Sequence, residues 1–188
     1  TFILPLQNAC SRAGSCMKIW TIGHSTRSID EFINLLKTYS IELVADVRSY
    51  PGSKKFPHFN ESPLRDALSK EGIEYRHFPG LGGMRKKVSK DSKNTGWRSK
   101  GFRAYADHME TEEFIRAAAG LIGAAQEKQT AIMCAEALWW RCHRRLISDY
   151  VTVQGHEVIH IIEKDKKEEH TLSAPAKVEN GVLSYEGE

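Results

Sequence analysis

The sequence predicts a three-layer α/β sandwich around a mostly parallel, Rossmann-like sheet of about five strands. Short β-rich segments alternate with amphipathic segments along most of the chain, which is typical of βαβ units. Several of the β-rich segments have nearly continuous apolar centres, as strands do when helices cover both faces of their sheet. The 188 residues are enough for one domain with a substantial core.

Short runs of apolar, β-branched and aromatic residues predict the strands. In chain order they are residues 18–22, 41–47, 73–78, 130–134 and 157–162. Turn-forming residues follow the first two, as Gly-His-Ser-Thr after the first and Tyr-Pro-Gly shortly after the second. Runs of about four to eight residues fit strands better than helices.

Capping residues mark the beginnings of the helices between these strands. Ser28 and Glu31 form a capping box that begins a helix reaching residue 39. Ser62 is predicted to cap the second helix, with Pro63 at the first helical position. After a long irregular stretch, Thr111 begins a third helix, in which apolar residues recur at helical spacing.

The segment 130–146 changes from a continuous apolar run to helical spacing at Cys134. The fourth strand is therefore predicted to run directly into a fourth helix, with Cys134 near the helix N-terminus. The free N–H groups and the dipole of such a terminus favour a thiolate over a thiol. Cys142, His143 and Arg144 follow within the predicted helix, with Cys142 in its second turn.

Polar residues follow three of the predicted strands at their carboxyl ends. They are His24 and Ser25 after the first strand, Asp46 and Arg48 after the second, and Cys134 and Glu136 after the fourth. In open α/β sheets, ligands bind beyond the carboxyl ends of the strands, where the strand order reverses. We therefore expect these sequence-distant side chains to meet at one edge of the sheet and to form the functional site.

The irregular stretch 79–103 is a second candidate region, with Gly82 and Gly83 followed by many basic residues. The basic residues are Arg85, Lys86, Lys87, Lys90, Lys93, Arg98, Lys100 and Arg103. Trp97 and other aromatic residues are interleaved near its end. Because basic residues neutralise phosphates and aromatic rings stack on bases, the stretch suits a nucleotide or nucleic acid. A solvated surface loop explains the same composition, and so does a lid that orders when an anion binds.

Each candidate residue has an expected role beside a structural alternative. For catalysis, Cys134 is expected as a nucleophile or as a metal or redox thiol, with His24, Glu136 and Asp46 as the other catalytic candidates. The expected substrate-binding residues are Ser25, Arg48, Cys142, His143, Arg144, Gly82, Gly83, Lys86 and Lys87. The structural alternatives are packing for the cysteines, capping for His24 and an ion pair for Asp46.

The spacings argue against some reaction classes and leave others open. Six residues separate Cys134 from Arg141, one more than in a cysteine phosphatase loop, and none of them is a glycine. No glycine-rich nucleotide-binding fingerprint follows any predicted strand. Sulfur transfer and acyl transfer by a Cys–His pair stay open. A bound metal is a further alternative, with Cys134, Cys142, His143 and His24 as ligands, although Cys-x7-Cys is no standard zinc spacing. The sequence requires no cofactor.

The ends and the composition of the chain give the remaining expectations. Residues 1–16 lack periodicity and precede Met17, so we interpret them as an extension outside the domain or a remnant of cloning. The domain is expected over residues 17–165 and a charged tail over residues 166–188. No stretch approaches the roughly 20 apolar residues of a membrane helix. The few cysteines favour a reducing cytoplasm, and a net charge of +3 permits an anionic partner.

Four motifs follow one another in the chain and carry most of these candidates. They are Thr21-Ile-Gly-His-Ser25, Asp46-Val-Arg48 with Pro51 just beyond, Leu81-Gly-Gly83, and Cys134-Ala-Glu136 followed by Cys142-His-Arg144. Together they resemble the family catalogued as domain of unknown function 488 (DUF488), over about residues 17–165. The resemblance implies an intracellular α/β domain with this motif set as its functional centre, and it supplies no reaction. The bulky link 138–141 departs from the more polar link of many relatives.

These observations favour an enzyme that acts on an anionic, phosphate-bearing substrate, such as a nucleotide or nucleic acid, at the carboxyl edge of the sheet. One alternative is a nucleic-acid-binding module without catalysis that uses the basic loop over residues 85–105. The other alternative is a thiol redox or metal-binding domain.

Overall fold

The computed structural model describes residues 16–85 and 87–187. Its helices are α1 (Ile29–Thr38), α2 (Glu61–Lys70), α3 (Lys100–Met109), α4 (Glu112–Glu127) and α5 (Arg144–Val153). Its strands are β1 (Lys18–Gly23), β2 (Leu43–Asp46), β3 (Glu74–His77), β4 (Thr130–Cys134), β5 (Glu157–Glu163), β6 (Lys166–Glu169), β7 (Lys177–Glu179) and β8 (Val182–Ser184). Among the described residues, no helix is long and apolar enough to span a bilayer. Of residues 1–16, which were interpreted as an extension outside the domain, only Cys16 is among the described residues.

Six strands form one sheet in the order β3-β2-β4-β1-β5-β6. Strands β1 to β5 are parallel, and β6 joins the edge antiparallel to β5. The fold is therefore the predicted Rossmann-like three-layer sandwich with a mostly parallel sheet, and it has one strand more than expected. This order places β2, β4 and β1 side by side, so their carboxyl ends meet.

Apolar residues form a core on each face of the sheet. On one face, Phe32 of α1 and Leu64 of α2 are buried against the strands. On the other face, α3, α4 and α5 bury Tyr105, Phe114 and Leu146. Burial on both faces explains the continuous apolar centres of the strands.

Regular structure occurs both in the predicted irregular stretch 79–103 and in the expected charged tail. Helix α3 begins at Lys100, inside the stretch 79–103. The expected charged tail begins with β6, which pairs with β5 and consists only of charged residues. Charged side chains are typical of exposed edge strands. Because β6 has no apolar residue, it lacks the alternating pattern by which a strand is predicted. Farther along the same segment, Tyr185 is buried in the core.

The N-termini of α1 and α2 test the capping assignments. Ser28 accepts a hydrogen bond from the Glu31 N–H and donates its own N–H to the Glu31 carboxylate, as predicted. Helix α2 instead has Asn60 at its N-cap, so Ser62 lies inside the helix and is not the cap, contrary to the prediction.

We expect Ser28→Ala to lower the free energy of unfolding by about 1 kcal/mol, because it removes the side-chain oxygen that caps α1. Ser62→Ala is the control and should change it by less than about 0.5 kcal/mol. Urea unfolding measures both variants, and equal losses would contradict the assignment.

Candidate functional site

The carboxyl ends of β1 and β4 are joined by backbone contacts at the edge of the sheet. Gly23, the last residue of β1, pairs with Cys134, the last residue of β4. The His24 N–H donates to the Cys134 carbonyl at 2.9 Å, and the Ser25 N–H donates to the Ala135 carbonyl at 3.0 Å. The residues that follow these strands therefore lie together, as the strand alternation predicts.

A cleft of about 1030 Å³ opens at this edge. The candidate residues that line it are His24, Ser25, Arg48, Gly83, Cys134, Glu136, Cys142 and His143. The candidates outside its lining are Asp46, Gly82, Lys87 and Arg144. Lys86 lies outside the described residues. The cleft thus unites most of the side chains that the sequence analysis assigns to the site.

Two thiols and one imidazole meet at the floor of the cleft. The Nδ1 atom of His143 lies 3.5 Å from the Cys142 sulfur and 4.0 Å from the Cys134 sulfur. The other ring nitrogen, Nε2, lies 2.9 Å from the Val47 carbonyl, an acceptor, so Nε2 carries the proton. The lone pair of Nδ1 is therefore directed towards the two sulfurs.

Helix α5 begins at Arg144 and not at Cys134, which corrects the predicted strand-to-helix seam. Cys142 consequently lies just before the helix and not in its second turn. The Trp139 ring stacks on His160 of β5, with 4.0 Å between ring centroids, and this contact anchors a short 3₁₀ turn where the helix was expected. Cys142 is therefore the thiol beside the N-terminal end of the helix dipole.

The two thiols differ in proton affinity. The hydrogen bond that the Cys134 thiol donates to the Cys142 sulfur raises the pKa of Cys134 and lowers the pKa of Cys142. Burial raises the pKa of both thiols, and the positive charge of Arg144 lowers the pKa of both. Of the two thiols, Cys142 is therefore the more readily ionised, whereas a thiolate was expected at Cys134.

Packing fixes the ring of His143. A Cβ atom at Gly83 would lie 2.3 Å from Nδ1 of His143, so only glycine leaves room for the ring. The Tyr105 ring also contacts His143, with 5.2 Å between centroids, and its hydroxyl donates to the Leu81 carbonyl at 2.7 Å. Gly83 thus contributes to the site by close approach to His143, and Gly82 is buried away from the cleft.

Asp46 is fully buried and forms a bidentate ion pair with Arg48. The guanidinium donates from Nε to Oδ1 at 2.9 Å and from Nη2 to Oδ2 at 2.6 Å. The Tyr75 hydroxyl donates to Oδ2 at 2.8 Å. These donors occupy the carboxylate, so Asp46 holds Arg48 in place and is not exposed to substrate as a catalytic base. Burial alone would lower the pKa of Arg48, but Asp46 more than offsets it and the pKa is raised.

His24 lies beside Arg48 as a neutral imidazole. Its Nδ1 donates to the Ser25 carbonyl at 3.0 Å, and its Nε2 accepts from Nη1 of Arg48 at 3.5 Å. Its ring stacks on Phe59, with 4.1 Å between centroids. Burial is the largest cause that lowers the pKa of His24 from 6.5 to about 4, and the charge of Arg48 acts in the same direction.

Arg144, an expected substrate-binding residue, is buried behind the loop that follows β4 and lies outside the cleft lining. Its guanidinium donates to the carbonyls of Glu136 and Ala137 and, at 3.4 Å, to the Thr21 hydroxyl. Arg144 therefore holds the loop in place. The Glu136 side chain is exposed, lines the cleft and accepts a hydrogen bond from the Leu138 N–H at 3.3 Å.

The basic loop is anchored by buried side chains. Asn94 donates to Asp107 at 3.0 Å and to Glu110 at 2.8 Å, which ties the loop to α3. Trp97 is 7% exposed, so its ring is packed in the core and does not offer a face for base stacking. Lys87 is exposed and lies outside the cleft lining.

Several cleft residues were not among the sequence candidates. Five of them are Tyr50, Lys55, Phe56, Trp140 and Arg141. All five lie in the connections that follow β2 and β4, at the carboxyl edge of the sheet. Their position after a predicted strand is the sequence feature that could have identified them, because such connections form ligand sites in α/β sheets.

A comparison with known protein families agrees with the motif resemblance. The profile of the family described as "Domain of unknown function DUF488" matches residues 28–151, which is more than half of the chain. No curated protein and no solved structure matches the chain. The matched range contains the Asp46–Arg48 pair, Gly83 and the cluster of thiols and imidazole. The chain therefore belongs to the DUF488 family.

Proposed function

We propose that the protein is an enzyme that binds a phosphate-bearing substrate, such as a nucleotide, in the cleft and acts on it at Cys134, Cys142 and His143. The observation that carries the proposal is that these three side chains line the same cleft as the buried cation Arg48. A concave site with a few convergent polar groups is the usual form of a small-molecule site. A reducing cytoplasm would keep both thiols in the reduced state.

Arg48 supports the anionic character of the substrate. Asp46 accepts hydrogen bonds from Nε and Nη2, which fixes the plane of the guanidinium. Nη1 contacts His24 and not Asp46, and its second hydrogen can be donated to a ligand. A cation that is already oriented binds an anion without the cost of reorganisation. Lys55 and Arg141 line the cleft as exposed side chains and add positive charge.

Aromatic side chains of the cleft favour a nucleotide over a simple inorganic anion. Tyr50 is 75% exposed and Trp140 is 40% exposed, and Phe56 lines the cleft beside them. Exposed aromatic rings stack on bases with little regard to sequence. Because Trp97 of the basic loop is buried, the cleft supports base binding better than the loop does, which favours the enzyme over the nucleic-acid-binding module.

Calorimetric titration with pyrophosphate and with a panel of nucleoside mono-, di- and triphosphates tests the proposal. Lys55→Ala removes a cleft charge, and Lys87→Ala, the matched control, removes a loop charge outside the cleft. We expect Lys55→Ala to weaken binding up to about fivefold and Lys87→Ala to leave it unchanged. Arg48→Lys keeps the charge but loses the planar fork, and it should weaken binding about tenfold or more.

Two outcomes would contradict the proposal. One is that no member of the panel binds to the wild-type protein. The other is that Lys87→Ala weakens binding while Lys55→Ala and Arg48→Lys do not, which would place the ligand on the basic loop. We expect the Cys142→Ala variant to bind the same nucleotide as the wild-type protein but not to convert it to product. Chromatography of the nucleotide measures the conversion.

A further inference from the structure

Two sulfurs and one imidazole nitrogen converge at the floor of the cleft, within 4.8 Å of one another. We propose that Cys134, Cys142 and His143 bind a zinc ion, whose fourth coordination position opens into the cleft. The catalytic role of this ion rests on the function proposed above, whereas its binding does not. Two thiolates and one imidazole are ligands that suit zinc. The hard cations Mg²⁺ and Ca²⁺ prefer oxygen ligands instead.

The distances between the donor atoms fit one tetrahedral ion. Zinc bonds of about 2.3 Å to sulfur and about 2.0 Å to nitrogen place those ligand atoms about 3.5 Å apart. The His143 Nδ1 atom is 3.5 Å from the Cys142 sulfur and 4.0 Å from the Cys134 sulfur. A zinc ion therefore fits among the three atoms after side-chain shifts of a fraction of an ångström.

The surroundings of His143 are those of a metal-bound imidazole. A metal-ligating histidine usually donates its second ring nitrogen to a carboxylate, a backbone carbonyl or water, which fixes the tautomer. Here Nε2 donates to the Val47 carbonyl at 2.9 Å, so Nδ1 is left as the metal-binding nitrogen. Gly83 and Tyr105 hold the ring in this orientation by packing on it.

The path of the chain explains how an unusual spacing forms such a site. Cys134 comes from the end of β4, and the adjacent Cys142 and His143 come from the residues just before α5. Arg144 and the Glu136 carbonyl hold the intervening loop so that it folds back and returns the second thiol to the first. Cys-x7-Cys-His therefore brings three ligands together without the short two-residue spacing of zinc fingers.

Three protein ligands, and not four, are typical of a catalytic zinc site with water at the remaining position. All three side chains line the cleft, so the remaining position is accessible to water or to a substrate oxygen. Arg48 lines the same cleft and would bind the anionic part of the substrate near the ion. The reacting group supplied by the protein is then zinc-bound water and not a free thiolate.

Elemental analysis of the full chain, purified without a histidine tag, is the direct test. We expect about one zinc ion per chain after gel filtration. X-ray absorption at the zinc edge should show two sulfur neighbours at about 2.3 Å and lighter neighbours at about 2.0 Å. Cobalt substitution should produce a sulfur-to-cobalt charge-transfer band and the visible bands of a tetrahedral site.

Variants and a thiol assay keep the test decisive. We expect Cys134→Ser, Cys142→Ser and His143→Asn each to lose most of the zinc, and His156→Asn, a control at the opposite edge of the sheet, to retain it. In wild-type protein, both ligand thiols should react with an alkylating reagent much faster after a zinc chelator is added. This second measurement needs no variant, so it stands even where a substitution prevents folding.

Failure of the zinc proposal can be told apart from failure of the proposed function. Metal-free protein that takes up no added zinc, with thiols equally reactive before and after chelator, overturns the zinc site. If that protein still binds nucleoside phosphates through Arg48, the proposed function stands with Cys142 as a free thiolate. If the protein instead contains zinc but binds no phosphate-bearing ligand, the zinc site stands and the proposed substrate class is wrong.

Discussion

Asp46→Ala is expected to lower the free energy of unfolding by about 3–5 kcal/mol, because it leaves a buried guanidinium without its counter-ion. Asp46 is 0% exposed and its partner Arg48 is 6% exposed, so little water reaches the pair to offset the loss of the carboxylate. The Tyr75 hydroxyl also loses the oxygen to which it donates at 2.8 Å. Urea unfolding followed by circular dichroism measures the change.

The neighbouring strand supplies a matched control for this prediction. Glu74 of β3 pairs with Arg76 and Lys128, but these side chains are about one third exposed or more. We expect Glu74→Ala to lower the free energy of unfolding by no more than about 1 kcal/mol. Added salt should reduce the effect of Glu74→Ala and leave the effect of Asp46→Ala nearly unchanged, since buried pairs are screened little. Similar losses in both variants would show that the Asp46–Arg48 pair is not buried as described.

The location of the site could be predicted from the sequence because it depends on short-range signals. Strand and helix periodicity alternate along the chain, and parallel strands joined by helices have their carboxyl ends at one edge. Residues that directly follow a strand, such as Ser25, Arg48 and Glu136, are therefore brought to that edge whatever the strand order. The ion pair between Asp46 and Arg48 follows from their spacing of two residues.

The local geometry of the thiol cluster could not be predicted, because distant residues determine it. The sequence from Cys134 onwards has helical spacing, yet Trp139 stacks on His160 and Arg144 binds the carbonyls of the intervening loop. These tertiary contacts override the local preference and delay the helix until Arg144. Because of that delay, Cys142 and not Cys134 lies beside the N-terminus of the helix.

A chain of hydrogen bonds connects the C-terminal segment to this loop. The His170 Nε2 atom donates to Asp149 at 2.8 Å, and the next bond joins His170 Nδ1 to His160 Nε2 at 3.0 Å. His160 Nδ1 accepts from the Thr21 hydroxyl at 2.7 Å, and Thr21 accepts from Arg144. The segment expected to be a charged tail therefore supports the residue that holds the loop of the site.

Gly23→Ala is expected to lower the free energy of unfolding by about 1–3 kcal/mol, through overpacking against a backbone that cannot move freely. A Cβ atom at Gly23 would lie 2.0 Å from the Glu136 carbonyl oxygen and 2.9 Å from the Ala137 Cα atom. Arg144 binds the same carbonyl, so the loop is held against the added methyl group. Relief of the clash requires a shift of the loop between Cys134 and Cys142.

The same substitution should therefore change the cluster as well as the stability. We expect the Gly23→Ala variant to expose its thiols to alkylation faster than wild type under conditions where both proteins are folded. Gly123→Ala is the control, because Gly123 lies within α4 and a Cβ atom there meets nothing within 4 Å. It should raise the free energy of unfolding by about 0.5–1 kcal/mol and leave thiol reactivity unchanged. If Gly23→Ala were as stable as wild type, with unchanged thiol reactivity, the close approach of β1 to the loop would not be needed to hold the two cysteines together.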